Sequence, residues 1–580
     1  MTYHCEDIFL IRRPALPLST FIAWDKKDGG NNDFFEFLEG NKLDIFLEEA
    51  LLISSPDLYA AIKRVGKDTQ KDYETCLSAI KYLTRATTRP TPFGTLAQVT
   101  LGSFKQDGVH AKLKSKSHVC KRIISVDMHW ISRVVHLLEQ KPSIRGELCL
   151  KWNHMCYEHG ERVKNPNYTC HGDIDNGAEK IKRINIRFTP LIKMVKESTV
   201  NSITFNELKV LIKKRYEDVE EEKIEEIIAT LIEKEYLLTE LRIPSYCNDS
   251  VQHVINVLKD KTSEKELVNK LENLQNLMLA YSNQRAVCQD NVEILKKIYA
   301  IMKSICVDNN YLNVSSASIC VQDKLSKDIK ERLELFIDNF SRLYVNEEHY
   351  SRLTLFKRKF IEEFGQNIEV PLHRIIDENG FNGLELIEDG IAEKSNRDKR
   401  ICSIIDDKII EAIREGSEEV NLLSSDFDQV KNDDLFLEKL SDSFDINFMI
   451  TGIQENVYLT IGPNYGSNKA GDTFQRFSDI LDLTDYNTMY RKMENDKYKL
   501  VEARELSVNG RANNLLNRKK NLEYALSFGQ VDMDYEKALQ LDDILIGMDS
   551  NDKLYIKSRK LNKKCKFVSD NGTFKYQYYT

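Results

Sequence analysis

The sequence predicts a multidomain α+β protein, and three observations carry that prediction. Strand-like and helix-like periodicities alternate near both ends of the chain. A compact run of strand, three helices and strand lies between Ile181 and Ile243. The 580 residues are enough for about four domain-sized units. The expected partition is an N-terminal α/β part over 1–180, a winged-helix subdomain over 181–245, a helical segment over 246–345 and a C-terminal α/β part over 346–580.

The elements follow in chain order. Phe9 to Pro14 reads as a strand stopped by its proline. Tyr73, Cys76, Leu77, Ile80 and Leu83 recur at helical spacing, so a helix with one buried face is expected. It should end near Arg85, because Arg89-Pro90 and Thr91-Pro92 favour extended backbone. Gly94 then opens a strand from Thr95 to Leu101, and Ser125 to Leu138 is a second amphipathic helix with Asp127 in its first turn. In the compact run, Lys182 to Arg187 is the strand. Helices are expected around Leu191 to Lys196, over Leu208 to Lys213 with Thr204 or Ser202 as N-cap, and from Val219 through Leu231. Tyr236 to Leu241 closes the run as a strand. From 250 to 345 the pattern is helical, with Ser263 to Glu266 as a capping box. Further on, Asn456 to Ile461 reads as a buried strand.

Composition excludes several classes. Lys plus Arg number 83 against 91 Asp plus Glu, a net charge of −8, so nucleic acid must be met by local basic patches. Gly and Pro are too few for collagen or long disorder. Met1 to Asp7 lacks the pattern of a signal peptide, and no window is apolar enough to span a bilayer. The 12 cysteines form no CxxC pair, which suits reduced thiols in the cytosol. Cys156, His159, Cys170 and His171 lack ordinary metal spacing, and no metal is expected. Phosphate-binding, dinucleotide-binding, zinc-protease and nucleophile-elbow motifs are absent.

The segment from Thr84 to Gly94 is unusual. Arg85 and Arg89 stand four apart among threonines, followed by Thr91-Pro-Phe-Gly94. Guanidinium planes donate parallel hydrogen bonds to carboxylates and phosphates, so a binding fork is one reading. The other is that Arg85 only complements a helix C-terminus and the prolines stiffen a loop.

Arg85 to Gly94 resembles the signature of the N-terminal glutamylation domain of class I lantibiotic dehydratases, the LanB type. Phe9 to Pro14, Val126 to Trp130, Phe360 to Leu372, Thr473 to Phe477, and Leu541 to Gly547 with Tyr555 to Ser558 extend the likeness in order along nearly the whole chain. The resemblance implies transfer of a glutamyl group from glutamyl-tRNA to Ser or Thr hydroxyls of a ribosomal precursor peptide. It implies glutamyl-tRNA as co-substrate and no other cofactor. Its candidate site residues are Arg85, Arg89, Thr91 and Asp127 as the catalytic set, with Arg12 and Arg476 binding the tRNA or glutamyl group. Arg13 competes with Arg12, and an interdomain ion pair is the alternative role for Arg476. Implied partners are the precursor leader peptide, glutamyl-tRNA, a separate elimination-domain protein and a cyclase. A homodimer is compatible with it, as is peripheral attachment to a membrane-bound biosynthetic complex.

The winged helix is expected to capture the leader as an added edge strand; DNA binding is its alternative. Three basic clusters are expected to meet tRNA phosphates: Lys112 to Lys116 with Lys121-Arg122, Arg518 to Lys520, and Lys557 to Lys566. Two departures from the family pattern stand out. Asn313 to Ala317 lacks an acid that the family carries, and the glutamylation domain is expected to continue beyond Thr580, with no elimination domain present. Alternatives of other classes are aminoacyl-tRNA-dependent extension of a peptide C-terminus, a non-catalytic leader-binding scaffold, and nucleic-acid binding without chemistry.

Overall fold

The structure, a computed structural model, describes residues 3–25, 45–65, 70–105, 111–112, 120–169, 182–244, 247–259, 261, 264–318, 323–343, 347–383, 385, 396–430, 443–453, 456–462, 466–467, 469–483, 498–505, 512–516, 522–528 and 537–568. It is a mixed helix and strand architecture built on two large sheets.

The N-terminal sheet is assembled from distant segments. Strand Ile8–Pro14 runs antiparallel to Ala97–Lys105, from Ile8 opposite Ser103 to Pro14 opposite Ala97. Leu312–Ser318 lies parallel to Ala97–Lys105 and antiparallel to Cys120–Val126. The pleat sends alternate side chains to opposite faces. One face carries Phe9, Phe104, Ile124 and Val314 into the main helical cores. The other carries Leu10, Val99, Ala317 and Ile123, and is covered by Phe477 and Ile480 from the C-terminal part. Because Arg12 sits opposite Val99 and Asn313 opposite Ser125, Arg12, Asn313 and Ser315 belong to that second face.

Several boundaries differ from the expectations. The first long helix, Gln70–Thr88, runs past Arg85, since the Arg89 N–H still reaches the Arg85 carbonyl at 3.1 Å. It stops where Pro90 removes the next donor. The following strand starts at Ala97 because Phe93 to Leu96 forms a turn, with Gly94 at φ +57°. Ser125 and Val126 are strand residues held by Asn313 and Leu312, so the second helix is Met128–Gln140 with Asp127 as its N-cap. The segment 246–345 is not purely helical: Leu312–Ser318 and Asp323–Ser326 enter the N-terminal sheet. Ser263 lies outside the described residues. Among the described residues, Asn456–Thr460 pairs with Met449–Ile453 alone, in a two-stranded hairpin with Tyr458 exposed, rather than being buried.

Helices Pro190–Ser198, Phe205–Arg215 and Glu221–Glu233 form around Ile192, Val195, Leu208, Ile212, Ile224 and Ile228. Their sheet has the order Leu237–Thr239, Cys149–Trp152, Ile203–Thr204. Lys182–Arg187 joins a different sheet, beside Arg162–Tyr168. Its exposed, charge-alternating face suits a solvent-facing ribbon. The second large sheet has seven strands, and in it Ile544–Met548 and Leu554–Ser558 form the expected antiparallel pair. No helix among the described residues is long and apolar enough to cross a membrane.

Candidate functional site

The ends of four adjacent strands bring the arginine segment and Asp127 to the same side of the N-terminal sheet. Pro14 ends the first strand opposite Ala97, Leu312 opens the inserted strand, and Val126 opposite it leads into Asp127. The Arg85 end of its helix is tied to this edge by the Leu16 N–H on the Ala86 carbonyl at 2.9 Å. The Ala15 N–H on the Leu96 carbonyl at 3.1 Å ties the following turn to it.

Arg85 is half-buried, and its guanidinium lies 4.6 Å from the Phe93 ring centroid. The Thr-Pro-Phe-Gly turn therefore supplies a platform that fixes the guanidinium plane. The buried Arg85 Nε has no hydrogen-bond partner, so this donor is held in place without being spent. Arg89 and Thr91 are exposed on the same loop.

Asp127 is 3% exposed. Its Oδ1 accepts the His129 N–H at 2.8 Å, capping the Met128–Gln140 helix, and its Oδ2 accepts from Asn514 Nδ2 at 2.8 Å. Its carboxylate thus orders the start of a helix. Beside it, His129 Nδ1 lies 2.9 Å from Asp308 Oδ2. That bond raises the His129 imidazole above its ordinary value, against burial. Burial pushes Asp308 up, but the His129 bond and the Asn310 and Asn309 N–H groups outweigh it and hold the carboxyl low.

Arg12 and Arg476 are linked through Asp445, a residue that sequence reasoning missed. Asp445 accepts the Gly471 N–H at 2.7 Å and the Thr473 N–H at 3.0 Å. It thereby pins the short helix Asp472–Gln475 that Arg476 ends. Arg12 is exposed at the surface, yet packed atoms press its guanidinium below its ordinary value, with Asp445 opposing. Neither effect removes the charge at neutral pH. Arg476 is exposed beside Phe477, which anchors this segment to the sheet face bearing Arg12. Four guanidinium groups and Thr91 thus border one face and one end of a single sheet, a charge pattern that suits carboxylates and phosphates.

Several predicted basic contacts are used otherwise. Arg122 is fully buried, with Nε 2.9 Å from Glu49 Oε1. Lys121 pairs with Asp482 at 2.7 Å and Lys557 with Glu369 at 3.0 Å, while Lys564 lies 3.9 Å from the Tyr555 ring. Lys213 donates to the Glu217 and Val219 carbonyls and so closes its own helix. Lys114, Lys116, Arg518 to Lys520, Cys170 and His171 lie outside the described residues.

Known proteins resemble this chain throughout. Residues 44–579 match the family model described as lantibiotic dehydratase, N terminus. The chain is 24% identical to the subtilin biosynthesis protein SpaB of Bacillus subtilis, over 98% of this chain and 55% of that protein. It is 26% identical to the epidermin biosynthesis protein EpiB of Staphylococcus epidermidis, over 99% of this chain and 57% of that one. The chain therefore spans about half the length of the curated relatives it matches. Its fold is similar to the crystal structure of the tRNA dependent lantibiotic dehydratase MibB from Microbispora sp. 107891, with TM-score 0.79 and 19% identity over 98% of this chain and 55% of that chain. The glutamylation domain of TbtB, from thiomuracin biosynthesis, matches with TM-score 0.58 and 12% identity over 92% of this chain and 67% of that one. The likeness first suggested by the Arg85 to Gly94 segment thus extends over nearly the whole sequence, and the chain belongs to the lantibiotic dehydratase N-terminal family.

Proposed function

We propose that the chain transfers a glutamyl group from glutamyl-tRNA to Ser or Thr hydroxyls of a ribosomally made precursor peptide. The observation that carries this reading is the set of four arginines around one sheet face and end, in a chain of this family. An aminoacyl ester is already activated. Its acceptor hydroxyl attacks the ester carbonyl, the bond to the tRNA ribose oxygen breaks, and the hydroxyl proton ends on that oxygen. Alignment and stabilisation of the tetrahedral oxyanion are the main demands. Arg85 and Arg89 take the tRNA end or the glutamyl carboxylate, Thr91 orients it, and Arg12 and Arg476 hold the approaching phosphates. Elimination of glutamate belongs to the family's elimination domain, whether in the same polypeptide or in a partner, with a cyclase acting afterwards.

The three-helix unit around Phe205–Arg215 is read as the winged helix that captures the leader. Ile203–Thr204 pairs with Cys149 and Leu150 on one side, and among the described residues no strand pairs its other side. Exposed Val200, Val210 and Leu211 lie nearby in sequence, offering apolar contact to an added strand. A second reading, a leader-binding scaffold without chemistry, is favoured by one observation: Asn313 and Ser315 stand on the site face where the family resemblance expects an acid.

The test uses radiolabelled glutamyl-tRNA and the precursor peptide. Label should pass to the peptide with the native chain and fall at least about a hundredfold in Arg85→Ala/Arg89→Ala, while leader binding persists. Leader binding without any label transfer by the native chain would establish the scaffold instead.

A further inference from the structure

We infer that Asn514, on the short helix Asn513–Leu516, is a positioning residue for the site through Asp127, an inference that rests on the acyl-transfer reading above. Its amide brackets the helix start from outside. Asn514 Nδ2 donates to Asp127 Oδ2 at 2.8 Å, and Asn514 Oδ1 accepts the Met128 N–H at 2.8 Å.

Helix N-termini begin with N–H groups that have no partner within the helix. Here the His129 N–H is taken by Asp127, whereas the Met128 N–H is taken by a side chain 386 residues away. The two contacts also fix which way the amide points. Turned over, it would set its carbonyl against a carboxylate and its NH2 against an N–H. The donor to Asp127 and the acceptor from Met128 are therefore a matched pair, met by the two ends of one neutral amide.

The position of this bracket gives it its consequence. Arg12 lies on the N-terminal sheet, whereas Arg476 arrives on the C-terminal segment that covers it. Asn514 belongs to the C-terminal side as well. By gripping Asp127 it fixes the register between the sheet end carrying Arg85, Arg89 and Thr91 and the segment carrying Arg476. Asp127 is buried with both oxygens engaged, so its contribution is to hold geometry, and Asn514 acts through it.

The experiment compares label transfer by the full chain and by Asn514→Ala and Asn514→Asp, with Asp249→Ala as a reference. Asp249 Oδ1 accepts the Gln252 N–H at 2.9 Å at the start of helix Ser250–Lys259, outside both the site and the three-helix unit, so its loss should lower the melting temperature without touching either. Asn514→Ala should lower kcat about tenfold or more with leader binding intact. Asn514→Asp keeps the acceptor for Met128 but sets a second carboxylate against Asp127. Two carboxylates in one place share a proton once pH falls. Relative to the native chain, its transfer should therefore be lowest near pH 8 and recover toward pH 6. Charged groups near this helix start include His129, Asp308 and Arg133. They are common to all variants, so the native profile is the baseline.

If Asn514→Ala does not fold, Asn514→Ser, which keeps a donor and an acceptor on a shorter side chain, is read by the same kcat criterion. Transfer by every Asn514 variant within about twofold of native at each pH would overturn this inference alone. So would a loss in Asp249→Ala equal to that in Asn514→Ala, since stability would then explain both. A flat profile for Asn514→Asp would overturn action through Asp127. No transfer by the native chain would overturn the acyl-transfer reading and this inference with it.

Discussion

Arg85 illustrates how much one residue depends on its neighbours. Sequence alone left its role open between a helix-end charge and a binding fork. The Phe93 ring decides that its plane is fixed, because the turn that follows the helix folds back over it. That turn needs Gly94 in the left-handed region, where an added Cβ would also stand 3.2 Å from Ile53 Cγ2. Gly94→Ala should cost about 1–2 kcal/mol of stability, read from the denaturant midpoint, and should weaken transfer by tilting Phe93. The His129–Asp308 pair makes a prediction in pH. A raised histidine stabilises the fold at low pH and loses that contribution as pH rises through its folded value. A lowered carboxyl contributes above its ordinary range and loses this as pH falls. Asp308→Asn should therefore lower Tm more near pH 6 than near pH 9, and an equal loss at both would remove the pair's charge from the explanation.

At the scale of elements, local signals are legible in the sequence and distant pairings are not. Thr204 was an expected N-cap, and its Oγ1 accepts the Glu207 N–H at 3.2 Å in a capping box. Thr204→Ala should cost about 1 kcal/mol, measured by thermal melting, and should disturb the edge strand Ile203–Thr204 beside it. The helices of that unit were legible because their apolar residues recur at helical spacing around one core. Its sheet was not, because Cys149–Trp152 comes from far upstream. Leu312–Ser318 was similarly obscure. Its mixture of Ser, Asn and apolar residues gives little alternation. Its two neighbours, near residues 99 and 122, cannot be read from spacing. The same limit hid Asp445 and Asn514, whose importance lies in the distant groups they meet: backbone N–H groups for both, and the Arg12 charge and the Asp127 carboxylate respectively. It also explains Arg122, a basic residue in a lysine-rich stretch that the fold turns inward to Glu49.

Across the whole molecule, the parts are joined by buried charge as well as by apolar packing. Arg242 lies between Glu139, at 3.0 Å, and Glu235, at 3.6 Å, all three almost wholly enclosed. Burial opposes the Arg242 charge, but the two carboxylates outweigh it and hold the guanidinium protonated. Removing the cation leaves two carboxylates without their shared partner, so Arg242→Ala should cost about 3–5 kcal/mol. A denaturant midpoint within error of native would show that the joint relaxes around the loss. Glu139 also accepts from the Thr239 hydroxyl at 2.6 Å, which ties the end of the Met128–Gln140 helix to the three-stranded sheet of the three-helix unit.

That helix is therefore fastened at both ends, to Asp127 and Asn514 at its start and to Arg242 and Thr239 at its finish. It works as a ruler of set length. One inserted or deleted residue would turn one end by about 100° and slide it by about 1.5 Å relative to the other, so the two fastenings could not both be kept. Substitutions along its outer side should be absorbed readily, whereas any change in its residue count should not.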